Sequence, residues 1–401
     1  MSSLEAMALL KIPHFEEGFV EKVADDLVHR SMKVQKGERV FLSYDPDARP
    51  VVHKVAEKIL ALGAFIDYQQ RDGQLENLKW AKADLKFLKE LDASLLSRIQ
   101  RCDCYLSVSC PSEYKGYKLD SRRSRLSSLT SKAQREQIVD EDRTRRCGLY
   151  LPTYHQAELD NMTFEEYKRV YFKACDLDWV KIHEAQELLI EKLDAGKELV
   201  FEADLNNPDP KKRTHLKMCI EGMTFANSTI AKNYPGSEAF SAPTLDSTEG
   251  TYFSPGRFFW KGQLIRDIYL KFEKGRVTDF QVSSNPDAMQ DLLDTDKGAR
   301  FVGEIGIGTN PELIEDVSDG LLFEKKGASF HVALGSPYSI ETYLGKAVKL
   351  DNGGESSVHW DVTNMLNRAG GSRILLDGQP IQINGRWVDD RLSALNPKNQ
   401  A

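Results

Sequence analysis

The sequence predicts a two-domain α/β protein: an N-terminal α/β domain with a parallel sheet over residues 1–185, then a mixed, strand-rich α+β domain over 186–401. Three observations predict it. The chain has 401 residues, more than one small domain needs. Its first 150 residues alternate helical and strand patterns, the order that builds a parallel layer. From Lys197 onward the texture changes to strands and turns.

Taken in order, Val20, Val23, Leu27 and Val28 recur at helical spacing until Gln35–Glu38 breaks the pattern before a strand at Arg39–Tyr44. A helix over Pro50–Leu62 carries Val51, Val52, Val55 and Ile59 and stops at Gly63. Ala64–Gln69 reads as the next strand, Leu75–Leu95 as mainly helical, and Cys104–Ser109 as a third strand. Residues 118–146 crowd Arg122, Arg123, Arg125, Arg135, Arg143, Arg145 and Arg146 into a polar, helix-prone segment. Glu136, Asp140, Glu141 and Asp142 lie among them without alternating aromatics, so a solvated or subunit-facing helix fits better than an RNA surface. Helices continue over 163–195, with Phe164, Tyr167, Val170, Tyr171 and Ala174 spaced for one buried face. The domain boundary falls near 176–197. Beyond it, Glu198–Asp204, His215–Gly222 and Phe258–Ser283 are strand-rich, with hairpin turns at Trp260–Gln263 and Glu273–Arg276 and one helix from Pro286 to about Thr295.

Composition narrows the function. Hydrophobic residues make up 41 % and there are 27 glycines, an ordinary globular share that excludes disorder or fibre. Lys plus Arg is 54 against 61 for Asp plus Glu, so the net charge of −7 gives no global field to gather nucleic acid. No window approaches the roughly 18 consecutive apolar residues of a membrane span. The N-terminal apolar patch, Ala6–Leu10, is too short for a signal peptide, so a cytosolic location is expected. Six cysteines are too sparse for a disulfide scaffold. Cys102, Cys104 and Cys110 fit no usual zinc spacing, and buried free thiols are expected.

Phosphate-loop, dinucleotide, H-E-x-x-H and G-x-S-x-G motifs are all missing. Gly303–Gly308 is Gly-rich, but its central carboxylate, Glu304, would repel phosphate. Metal-ligand residue types instead gather in apolar runs. His359 and Asp361 are two apart, so on a strand both project from one face. His331 sits in Ser329–Gly335 and Glu304 in Phe301–Ile305, where a charge is costly unless paired or coordinated.

These blocks resemble the aminopeptidase T / aminopeptidase S family of metallopeptidases across nearly the whole chain. Asn233–Pro243 is similar to its N-x-P-G-G-E-V-F-T-A-P block, Gly298–Glu304 to G-A-R-x-x-G-E, Phe330–Gly335 to the H-x-A-L-G block, and His359–Asp361 to H-x-D. Leu151–Thr153, Met162–Tyr167 and Ala174–Asp178 resemble the family's central segment. By this resemblance Glu238, Glu304, His331, His359 and Asp361 would ligate two divalent ions, Zn²⁺, Co²⁺ or Mn²⁺. Tyr338 would be the catalytic tyrosine and Glu304 a catalytic carboxylate. The implied reaction is removal of the N-terminal residue of peptides by a hydroxide bridging two metals, in a homodimer that binds neither nucleic acid nor membrane.

The chain departs from the family where a further glutamate often stands five residues before the H-x-A-L-G histidine: Lys326 is there, and Glu324 is the nearest carboxylate. Glu249 is a neighbouring candidate for the first ligand, but its context fits the opening of a strand better. A competing reading takes His331, His359 and Asp361 as the facial triad of a mononuclear Fe(II) ring-cleaving dioxygenase. A non-catalytic scaffold on an inherited peptidase fold is the third.

Overall fold

Apolar runs flanked by amphipathic helices build the first sheet. The computed structural model describes residues 11–90, 92–111, 117, 119–120, 122–123, 126–127, 130, 144–315, 317–318 and 321–398. Arg125, Arg135, Arg143 and their acidic neighbours, like Ala6–Leu10, lie outside the described residues. The chain divides into two compact units, Met1–Cys175 with Ile230–Pro235, and Asp176–Thr229 with Gly236–Ala401.

In the first unit, β1 (Arg39–Tyr44), β2 (Phe65–Gln70), β3 (Cys104–Ser109), β4 (Arg145–Tyr150) and β8 (Asn233–Tyr234) form a sheet in the order β2-β1-β3-β4-β8. Every pairing is parallel. Central β1 buries Val40, Phe41 and Leu42 in succession, as a strand covered on both faces does. Around it run α1 (Glu17–Asp25), α2 (Arg49–Ala61), α3 (Gly73–Lys82), α4 (Leu85–Leu88), α5 (Ala93–Ile99), α6 (Tyr154–Leu159) and α7 (Phe164–Cys175). Val51, Val52, Val55 and Ile59 are the buried stripe of α2, and Gly63 follows with φ +75° as its stop.

The stretch expected to be mainly helical, 75–95, is broken because three aspartates each start a new helix. Asp72 accepts from Gln74 N and Leu75 N, Asp84 from Lys86 N, and Asp92 from Leu95 N. Arg145 and Arg146, expected on a helix, instead begin β4. There Cys147 and Leu149 alternate inward, while Arg145 donates to Glu38 Oε2 and Met32 O. Arg123 donates to Trp80 O and Ala83 O, satisfying carbonyls at the end of α3.

The second unit opens with α8 (Trp179–Asp194). Its larger sheet joins β5 (Glu198–Ala203), β6 (Thr214–Cys219), β10 (Glu249–Trp260), β11 (Gln263–Glu273), β12 (Arg276–Gln281), β18 (Ser372–Leu376), β19 (Gln379–Ile383) and β20 (Arg386–Trp387), in the order β12-β11-β10-β6-β5-β18-β19-β20. The smaller joins β7 (Ala226–Ser228), β9 (Glu238–Ser241), β13 (Val302–Gly308), β14 (Ser329–Gly335) and β17 (His359–Met365), in the order β17-β14-β13-β9-β7. Helix α9 (Pro286–Leu293) and a hairpin of β15 (Thr342–Tyr343) and β16 (Lys346–Ala347) complete it. Both hairpin turns expected from Lys-Gly pairs form, with Lys261 and Gly262 at φ +48° and +77°, and Lys274 and Gly275 at +49° and +74°. Glu249 opens β10 and accepts from Lys274 N.

Period-two alternation divides the smaller sheet's faces. Phe330 packs toward the larger sheet, its ring 4.2 Å from Phe201 and 5.5 Å from Tyr252. Tyr252 and Ser254 bind the two layers further by donating to Val362 O and Thr363 O. His331, one residue on from Phe330, must therefore point to the opposite face.

All six cysteines are free, five of them buried and Cys219 intermediate. No described helix is long and apolar enough to cross a membrane.

Candidate metal centre

The opposite face of the small sheet is where the sequence-predicted residues meet. Strand register sets Glu304 beside Ala333 and Ala333 beside Asp361, Gly306 beside His331, Gly308 beside Glu238, and Gly335 beside His359. Glycine or alanine thus stands beside each of these five side chains on at least one neighbouring strand.

Two details of backbone aim the side chains. The register shifts between Val302 and Glu304, a bulge in which Gly303 is squeezed against Gly335 O, and this turns Glu304 onto the ligand face. At Gly306 a Cβ would lie 2.1 Å from His331 Cε1 and 2.2 Å from Nε2, so the imidazole lies flat against a strand that only glycine permits.

Ligand atoms converge in two groups. Glu238, Glu304 and His331 offer one, Glu304, His359 and Asp361 the other, and within each the ligand atoms lie within 4.8 Å of one another. Glu304 belongs to both. His331 Nε2 is 3.4 Å from Glu304 Oε1 and 3.8 Å from Glu238 Oε2. His359 Nε2 is 3.2 Å from Glu304 Oε2 and 3.7 Å from Asp361 Oδ2. Glu238, Glu304 and His331 are buried, whereas His359 and Asp361 form the open side. His331, His359 and Asp361 do not form such a group among the described residues, which disfavours the facial-triad reading.

The electrostatics are those of a site built for cations. Burial works to raise the Glu304 pKa, but the adjoining imidazoles of His331 and His359 prevail and pull it to about 2. Burial works to lower both histidines, yet the carboxylates beside them carry His331 up to about 9 and His359 up to about 10. Glu238 and Asp361 are raised, chiefly by burial. Carboxylates outnumber the fixed positive charge of this cluster, and a divalent ion held by these residues would supply the balance in place of the imidazole protons.

Orphaned acceptors point the same way. Glu238 Oε2 and Glu304 Oε2 are buried and accept no hydrogen bond among the described residues, although His359 Nε2 stands close to the latter. His359 Nδ1 is held 2.8 Å from Ser336 O, so donation to that carbonyl leaves Nε2 as the free lone pair. The donor set of carboxylates and imidazoles fits Zn²⁺, Co²⁺ or Mn²⁺.

Tyr338 stands over the open side, its ring 5.3 Å from those of both His359 and Phe240. Crowding first, and then the charge of Glu304, Asp361, Glu324 and Glu238, holds its phenol well above the usual tyrosine value, so it remains a donor.

One participant was not foreseen. Lys325 is fully enclosed, and its Nζ donates to Glu238 Oε1 at 2.5 Å and to Glu324 Oε2 at 2.8 Å. The adjacent Lys326, which occupies the position of the family's further glutamate, is also buried.

Residues 17–387 match the thermophilic metalloprotease (M29) family. Aminopeptidase AmpS of Bacillus subtilis (strain 168) is 23 % identical over 404 residues, covering 90 % of this chain and 96 % of that protein. Aminopeptidase T of Thermus aquaticus is 30 % identical over 164 residues, covering 39 % of this chain and 40 % of that protein. The solved structure of wild-type AmpT from Thermus thermophilus superposes with a TM-score of 0.77 at 22 % identity, covering 93 % of this chain and 100 % of that one.

Proposed function

Because this chain belongs to the thermophilic metalloprotease family M29, we propose that it is a metal-dependent aminopeptidase, which removes the N-terminal residue of peptides at the centre on its small sheet. The observation that carries this reading is the pair of ligand groups sharing Glu304. They offer two places for divalent ions, Zn²⁺, Co²⁺ or Mn²⁺, with Glu304 common to both. Ions there supply Lewis acidity, polarising a peptide carbonyl and lowering the pKa of a water from about 15.7 toward neutrality.

The chain's own residues do the rest. Glu304 stays ionised between two imidazoles and holds the centre together. Ser336 O fixes the His359 tautomer through Nδ1. Tyr338, kept protonated, donates to the oxyanion that forms when the carbonyl is attacked. A free α-amine would be bound by the ions these residues hold, which would restrict cleavage to the first peptide bond. A cytosolic location and a homodimeric state accompany the proposal as expectations.

Glu304→Gln tests it. Release of leucine from leucyl peptides is expected to fall to background while circular dichroism stays unchanged; turnover at the wild-type rate would remove this site from the reaction.

A further inference from the structure

We propose that Lys325 makes the two metal places unequal: the Glu304–His359–Asp361 place keeps its divalent ion through dialysis, and the Glu238–Glu304–His331 place holds one about 100-fold more weakly. The inference rests on the metal-centre reading above and deepens it.

Three observations carry it. The first is a cation already in position. Lys325 Nζ lies 2.5 Å from Glu238 Oε1, with the side chain 1 % exposed, so one oxygen of the only carboxylate private to this place is committed to an ammonium. Its backbone is pinned as well, since Lys325 N donates to Leu322 O and Lys325 O accepts from Asn310 N. A divalent ion on the remaining oxygen, Glu238 Oε2, meets the repulsion of that ammonium in a water-poor setting, where charge interactions are strong. The second observation is Glu324, whose Oε2 is also held by Lys325 Nζ at 2.8 Å and which belongs to neither ligand group. Lys325 therefore takes up Glu238 and Glu324 together and leaves Glu304 as the uncommitted carboxylate of this place. The third is the bracing of the imidazoles. His359 Nδ1 is fixed by Ser336 O, whereas buried His331 Nδ1 has no hydrogen-bond partner among the described residues. A braced imidazole is the better ligand. All three bear first on the same place: Lys325 touches Glu238 directly, and its charge reaches Asp361 of the other place only at longer range.

The test is a Mn²⁺ titration of the whole chain, stripped by chelator, with bound ions counted by equilibrium dialysis and their pairing read by electron paramagnetic resonance. The wild type is expected to fill one equivalent as an isolated ion and to show spin-coupled pairs only at about 100-fold higher free Mn²⁺. Lys325→Gln is expected to bring the two steps to within about tenfold, and Lys325→Arg to keep them apart. Two equivalents binding together to the wild type, coupled from the first addition, would overturn the proposal and leave the peptidase reading intact. An unchanged gap in folded Lys325→Gln would overturn it too. If that variant fails to fold, the wild-type titration alone decides. Failure of Mn²⁺, Zn²⁺ and Co²⁺ to bind at all would instead overturn the metal-centre reading itself, and this inference with it.

Discussion

On the proposed reading Tyr338 acts in the reaction, its ring leaning on Phe240 and on His359 at the open side of the centre. Tyr338→Phe removes one donor and keeps the packing. It is expected to lower kcat by about 100- to 1000-fold with little change in KM or bound metal. Steady-state kinetics on a leucyl substrate check this, and an unchanged kcat would confine Tyr338 to packing. At this scale much of the centre was legible beforehand. His331 and Glu304 stand out as polar residues in apolar runs, where a buried charge demands a partner, and His359 and Asp361 as a pair two apart on one strand face. Glu238 was visible only through the resemblance of its block, because nothing in Ser237-Glu238-Ala239 marks a buried ligand. Lys325 was not legible at all. In Glu324-Lys325-Lys326 it reads as one of a run of solvated charges, and a lysine's burial depends on tertiary neighbours that no local pattern records.

Among the elements, strand β13 supplies Glu304, the residue common to both ligand groups, and its Gly306 lets the His331 ring lie against it. Gly306→Ala would set a methyl against the His331 ring, with no room for either to stay. It is expected to cost about 1–3 kcal/mol in stability and to weaken metal binding at the His331 place. Gly18→Ala, in α1 where a Cβ would meet nothing within 4 Å, is the contrasting control and is expected to raise stability slightly, by up to about 1 kcal/mol. Thermal melting and Mn²⁺ titration of the two variants separate them. Equal melting temperatures would mean that the ring does not need the glycine. Elements with local chemistry were the legible ones. Lys-Gly at 261–262 and 274–275 announces turns because both positions need positive φ. Strand β4 was hidden because Arg145 and Arg146 resemble the polar segment before them, and only pairing with β3 reveals their place. Strands β7 and β9, three and four residues long and buried throughout, show no alternation to read.

For the whole molecule, the two-layer logic of the second unit explains why ligands scattered from 238 to 361 can meet. Four neighbouring strands, β9, β13, β14 and β17, turn apolar residues to the larger sheet and metal-type residues to the opposite face. The N-terminal parallel sheet and the C-terminal strand-rich texture were both legible in the sequence. The return of Ile230–Pro235 to the first unit was not, since a two-residue parallel pairing of β8 with β4 leaves no mark in composition. The central claim, that this chain is a metal-dependent aminopeptidase, is tested most directly by following leucine release from a leucyl peptide, free or N-acetylated at its amino terminus, before and after chelation. The account predicts cleavage of the free peptide alone, its loss when the metal is stripped, and its return when Zn²⁺, Co²⁺ or Mn²⁺ is restored. Undiminished release from protein shown to be metal-free by elemental analysis, or equal cleavage of the acetylated peptide, would contradict it.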